Sequence, residues 1–178
     1  MKYRFLLLFL LLAPCLGHAN CLGQVKGTTL SLEETVRAHN TAQQALITIR
    51  RNAQDWKNLL LRGNVEKDRQ ILLKRFEEQS ANYELQLKKL DTDLSAIGFS
   101  KDGLNILNVE NKKLNSIYQD ALTKYGIDSL DAASKADRYA QGADIKTFRT
   151  LEKLDSDLAV LTQEKFKELN ASLNSCFK

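Results

Sequence analysis

Apolar residues recur along this chain at alternating spacings of three and four, the rhythm of amphipathic helices that pack side by side. Four such runs follow one another. The first holds Leu32, Thr35, His39, Ala42, Leu46, Ile49, Ala53, Trp56 and Leu60. The second runs from Leu73 and Phe76 through Ser80, Tyr83, Leu87, Leu90 and Leu94 to Ile97. The third holds Leu104, Leu107, Asn111, Leu114, Tyr118, Ala121 and Tyr125. The fourth runs from Leu130 and Ala133 through Asp137, Ala140, Asp144, Phe148, Leu151, Leu154 and Leu158 to Leu161, with Phe166, Leu169 and Leu173 shifted round afterwards. Gly63, Gly98 and Gly126 each follow a run, where a left-handed C-cap is expected. Ser31 with Glu34 reads as a capping box opening the first helix; Ser100 and Asp128 or Ser129 are candidate N-caps for the third and fourth. The connections are short, which makes sequential helices antiparallel neighbours. The predicted fold is all-α: an antiparallel up-down-up-down four-helix bundle with long helices, roughly 40–65 Å each.

The first residues belong to a different pattern. Lys2 and Arg4 precede the apolar run FLLLFLLLA, and Gly17-His18-Ala19 supplies small residues at a cleavage site. The run is shorter than the about 20 residues of a membrane span. Residues 1–19 are therefore expected to be a cleaved secretory signal peptide, leaving 20–178 as a single domain with no transmembrane span, periplasmic or secreted. The alternative, a lipoprotein signal at Cys15 or Cys21, lacks the small residue wanted just before the lipidated cysteine. Cleavage leaves Cys21 and Cys176, one at each end of the domain. Export favours a disulfide between them, with two free thiols as the other reading. In an up-down-up-down bundle both residues sit at the same end.

Charge and chemistry narrow the function. Removing Lys2 and Arg4 from the formal charge of +4 leaves +2, too balanced for a nucleic-acid binder. No CxxCH is present, the only Met is Met1, and no Glu-x-x-His pair, P-loop or GxSxG occurs. The expectation is a non-enzyme with no cofactor and no metal. Asp137 and Asp144 stand on a seam, where carboxylates need partners. Lys57, Arg62, Arg69 and Arg138 are the candidate cations at that end, and Asp144 is expected to meet Arg62 or Arg69, unless helix four turns both carboxylates to solvent. Trp56 reads as core before ligand platform, His39 as a satisfied histidine, and Asn111 as a register-setting seam residue.

Trp56-Lys57-Asn58 followed by Leu60-Leu61-Arg62-Gly63 resembles the "EWKNxLLRG" stretch in the extracytoplasmic sensory bundles of bacterial methyl-accepting chemotaxis proteins. Phe76-Glu77, the series Leu114, Tyr118, Ala121-Leu122 and Tyr125, and Gln141-Gly142-Ala143-Asp144 resemble that family's blocks in the later helices, over about residues 30–165. Ile145 stands where the family has a basic residue, with Lys146 following. A receptor of this family continues into a second membrane helix and a cytoplasmic rod, whereas this sequence ends at Lys178. The resemblance implies a sensory bundle, here expected to stand alone, acting as a homodimer and signalling through a membrane-receptor partner. The expected ligand is a small anion or a partner protein, met by Trp56, Lys57, Arg62, Arg69, Arg138 and Asp144. The alternative is a periplasmic helical chaperone, adaptor or spacer with no small ligand; Leu161-Thr162-Gln163 faintly resembles the "LTxxQ" of such chaperones, with Lys165 at the later Gln position.

Overall fold

The computed structural model describes residues 4–176, with side chains from Cys21 onward. The described chain is all helix: α1 (Arg4–Arg62), α2 (Glu66–Ala96), α3 (Asp102–Tyr125), α4 (Leu130–Ala140) and α5 (Ile145–Cys176). Among the described residues there is no strand, and no helix is long and apolar enough to cross a membrane. The expected signal peptide falls on residues 1–19, whose side chains lie outside the described residues, as does the whole of 1–3.

α1 is the axis of the molecule, and both α2 and α5 pack along it. Its partners appear in reverse order along each neighbour. On α2, Thr41 bonds Asp93, Asn52 bonds Ser80 and Asp55 meets Arg75, so the two helices run antiparallel. On α5, Thr28 lies by Ser172, His39 by Asp155 and Arg50 by Glu152, again antiparallel. Lys101 meets Asp91 and Asn115 bonds Glu84, which sets α3 against α2 in the same sense, though their contact is the sparsest of the packed pairs. The two ends close where Cys21 and Cys176 stand at disulfide distance, with Cα atoms 5.6 Å apart.

The core is aliphatic toward the disulfide end and aromatic toward the other. Leu90, Leu94, Leu104, Leu107, Leu151 and Leu158 are fully buried, and Trp56, Phe76 and Tyr118 close the far half. Burial of this kind contributes roughly 1.5–3 kcal/mol per large side chain, the main favourable term in any bundle. α1 also buries a second stripe beside the expected seam: Ala38, Thr41, Ala45, Thr48, Asn52, Asp55 and Leu59. A helix with long neighbours on two sides has a wide buried arc, and here much of it is small or polar.

Three expectations need correcting. The capping box at Ser31 is not a helix start, because α1 runs through it unbroken from Arg4. Ser31 is interior, its carbonyl taking a bond from the Thr35 hydroxyl at 2.8 Å. Gly63 is not a left-handed cap. Its N–H continues the helical bonding to the Leu59 carbonyl, and a Cβ there would stand 2.7 Å from Ile127 Cδ1, so the position is glycine for close packing. Gly98 and Gly126 do have positive φ. Finally, the fourth run is two helices rather than one. Gly142 at φ +77° breaks it, with turn bonds from Ala143 N to the Ala140 carbonyl and from Ile145 N to the Gly142 carbonyl. Ser129 caps α4 by accepting from Ala132 N at 3.2 Å, one of the starts the sequence offered.

Candidate functional site

The break between α4 and α5 faces the last turns of α1. Trp56 is 2% exposed and stacks on Tyr118 with ring centroids 4.5 Å apart; Phe76 meets both, at 5.7 and 5.4 Å. The i, i+3/i+4 rhythm of α1 puts Trp56 inward and its neighbour Lys57 at the edge. Lys57 Nζ reaches Asp137 Oδ1 on α4, and Arg50, two turns earlier, reaches Glu152 on α5 at 3.1 Å. α4 turns Ala133, Ala136 and Ala140 into the core and leaves Asp137 half-exposed, so this carboxylate is a surface ion-pair partner rather than a buried seam charge.

These elements line a pocket of about 250 Å³ that is open to solvent on one side. Trp56, Lys57 and Arg50 line it from α1, Tyr118 from α3, Asp137 and Ala140 from α4, Gln141, Gly142 and Asp144 from the break, and Phe148 from α5. Asp144 has no ion pair or side-chain hydrogen bond among the described residues. Its carbonyl accepts from Phe148 N at 3.0 Å, which places it at the start of α5, where the positive end of the helix dipole favours a carboxylate. Tyr118 is 3% exposed, and its hydroxyl has no hydrogen-bond partner among the described residues. Burial holds its pKa above the usual phenol range, and the charges of Asp144 and then Asp137 push the same way.

Three of the six residues singled out in the sequence meet in this pocket: Trp56, Lys57 and Asp144. The arginines do not line it. Arg62 takes Asp68 through Nε at 3.1 Å and through its terminal nitrogen at 2.7 Å. Arg69 takes Glu66 at 2.6 Å, and Arg138 is exposed, with Nε on the Ser134 carbonyl at 3.4 Å. The expected pairing of Asp144 with Arg62 or Arg69 is therefore not formed. Both arginines flank the short α1–α2 turn and find carboxylates within a few residues along the chain, a shorter reach than crossing to the α4–α5 break. Cys21 and Cys176 sit together as expected, at the end remote from this pocket.

Sequence reasoning passed over a second polar centre. Glu110 on α3 receives Lys146 at 2.8 Å and Lys113 at 3.0 Å on the same oxygen. Those two bonds hold its carboxyl below the usual carboxylate range. Lys146 is in the first turn of α5, so this bridge pins the far side of the break to α3. The i, i+3 spacing of Glu110 and Lys113 was the available signal; the link to Lys146 is tertiary and left none. No protein-family model, no curated protein and no solved structure matches this chain.

Proposed function

We propose that this chain is an extracytoplasmic module of sensory type, similar to the ligand-binding domains of methyl-accepting chemotaxis proteins, that binds a small solute. In this reading a secretory signal ends at Ala19, and the domain works in the periplasm or outside the cell. α1, α2, α3 and the α4–α5 pair are then the four arms of an antiparallel up-down-up-down bundle. The chain acts by binding and passes its state to a membrane-receptor partner, with a homodimer as the working unit.

The observation that carries the reading is a convergence. Trp56 and Lys57, Tyr118, and Gly142 with Asp144 come from three blocks far apart in sequence, and they line one pocket. Those same blocks carry the resemblance to receptor sensory bundles. A solute held there would touch α1, α3 and both halves of the broken arm, so its arrival would bias how those elements sit against one another.

A thermal-shift screen of the exported, oxidised protein against small carboxylates, amino acids and amines tests the reading. A ligand at 100 times its dissociation constant adds about 2.7 kcal/mol, several degrees for a domain of this size. A stabilising compound whose effect disappears in Lys57→Ala or Asp144→Asn, with helical content intact, supports it. A flat screen on folded protein moves the weight to a second reading, an adaptor or chaperone without a small ligand. One observation favours that alternative: the sparse α2–α3 packing leaves a groove of about 320 Å³ lined by Leu73, Phe76 and Leu122 with Glu77 and Glu84.

A further inference from the structure

We propose that the pocket at the α4–α5 break takes a small cation bearing a primary ammonium group, with Asp144 as its charge partner and the Trp56–Tyr118 stack as its wall. This rests on the small-solute reading above and specifies its chemistry.

The first ground is the balance of charge. Arg50, Lys57, Asp137 and Asp144 are the charged side chains lining the pocket. Lys57 is matched by Asp137 and Arg50 by Glu152. Asp144 remains, so the unmatched charge is negative. The anion expected from sequence depended on Arg62 and Arg69, which are held by Asp68 and Glu66, and on Arg138, which lies outside the lining.

The second ground is Tyr118. Its ring is buried, while its hydroxyl makes no hydrogen bond among the described residues and is not one of the buried polar atoms left without a partner, so the oxygen is open to a donor that enters the pocket. Tyr118 shares the lining of the pocket with Asp144 and Asp137. An ammonium has three donors. One can go to the Asp144 carboxylate, one to the Tyr118 oxygen, and the carbon tail then lies against Phe148 and the indole. Aromatic faces attract cations electrostatically, which an anion would not share. The volume, about 250 Å³, suits a compound of a few carbons.

Titration with butylammonium chloride at constant ionic strength tests this, with sodium butyrate as the anion of similar size. Trp56 is the only tryptophan, so its emission reports the pocket directly. The expected result is a saturable change in emission and a higher Tm with butylammonium and neither with butyrate. Asp144→Asn, near-isosteric and uncharged, should weaken butylammonium by about tenfold or more. Tyr118→Phe should weaken it by a smaller factor and serves if the first variant does not fold. Equal butylammonium affinity in the folded variants, or no saturable response of the parent protein, overturns the proposal. A saturable response to butyrate alone also overturns it, while leaving the small-solute reading standing.

Discussion

Tyr83 on α2 is 1% exposed, and its hydroxyl is buried without a hydrogen-bond partner among the described residues. Burial holds its pKa above the usual phenol range, so the ring stays neutral and packs as a large apolar group with one unsatisfied oxygen. Tyr83→Phe removes that oxygen and little else. It is expected to raise stability by about 1 kcal/mol, read as a higher urea midpoint at unchanged slope. The Tyr118 hydroxyl also makes no hydrogen bond among the described residues, but it is not one of the buried atoms left without a partner and its residue borders a pocket, which is why the two phenols have different meanings. At this scale the sequence was legible where a residue's role follows from its own helix. Trp56 as core and Ser129 as a cap needed only local spacing. The partner of Asp144 was not legible, because helical rhythm fixes which face a residue occupies but not its height opposite a neighbouring helix.

Among the elements, α4 is the most lightly held. Its buried residues are Ala133, Ala136 and Ala140, which offer little apolar area, whereas α5 buries Leu151, Leu154 and Leu158. Gly142 uncouples the two helices, and the Lys146–Glu110 bridge anchors the α5 side of the break to α3. α4 should therefore open by itself, below the free energy of global unfolding. Amide hydrogen exchange should show α4 amides exchanging well before those of α5, with the gap narrowing when the pocket is filled. The break itself was hidden by the apolar rhythm, which continues across residues 140–148 as if one helix ran through. The polar stripe of α1 was hidden for the opposite reason. Thr41, Asn52 and Asp55 look like surface residues until α2 supplies Asp93, Ser80 and Arg75. The all-helical class and the stops near Gly63, Gly98 and Gly126 were written in apolar spacing and glycines; the fifth helix and the bonds that select neighbours were not.

For the molecule as a whole, the Cys21–Cys176 link acts on the unfolded chain more than on the fold. It closes a loop with a sequence separation of 155, and reduction should lower stability by about 3–5 kcal/mol in the chain-entropy model, measured as a drop in the denaturation midpoint with the helical signal kept under native conditions. The meeting of Cys21 and Cys176 was expected from an up-down-up-down bundle, and the two residues do stand with Cα atoms 5.6 Å apart. The same link makes the domain a covalent ring. A protease that cuts one connection, such as residues 97–101 between α2 and α3, opens the ring but releases no fragment. Such a nicked molecule should run as one band without reductant and as two with it. The side chains around the α4–α5 break come from both sides of that cut, yet they stay on a single covalent body.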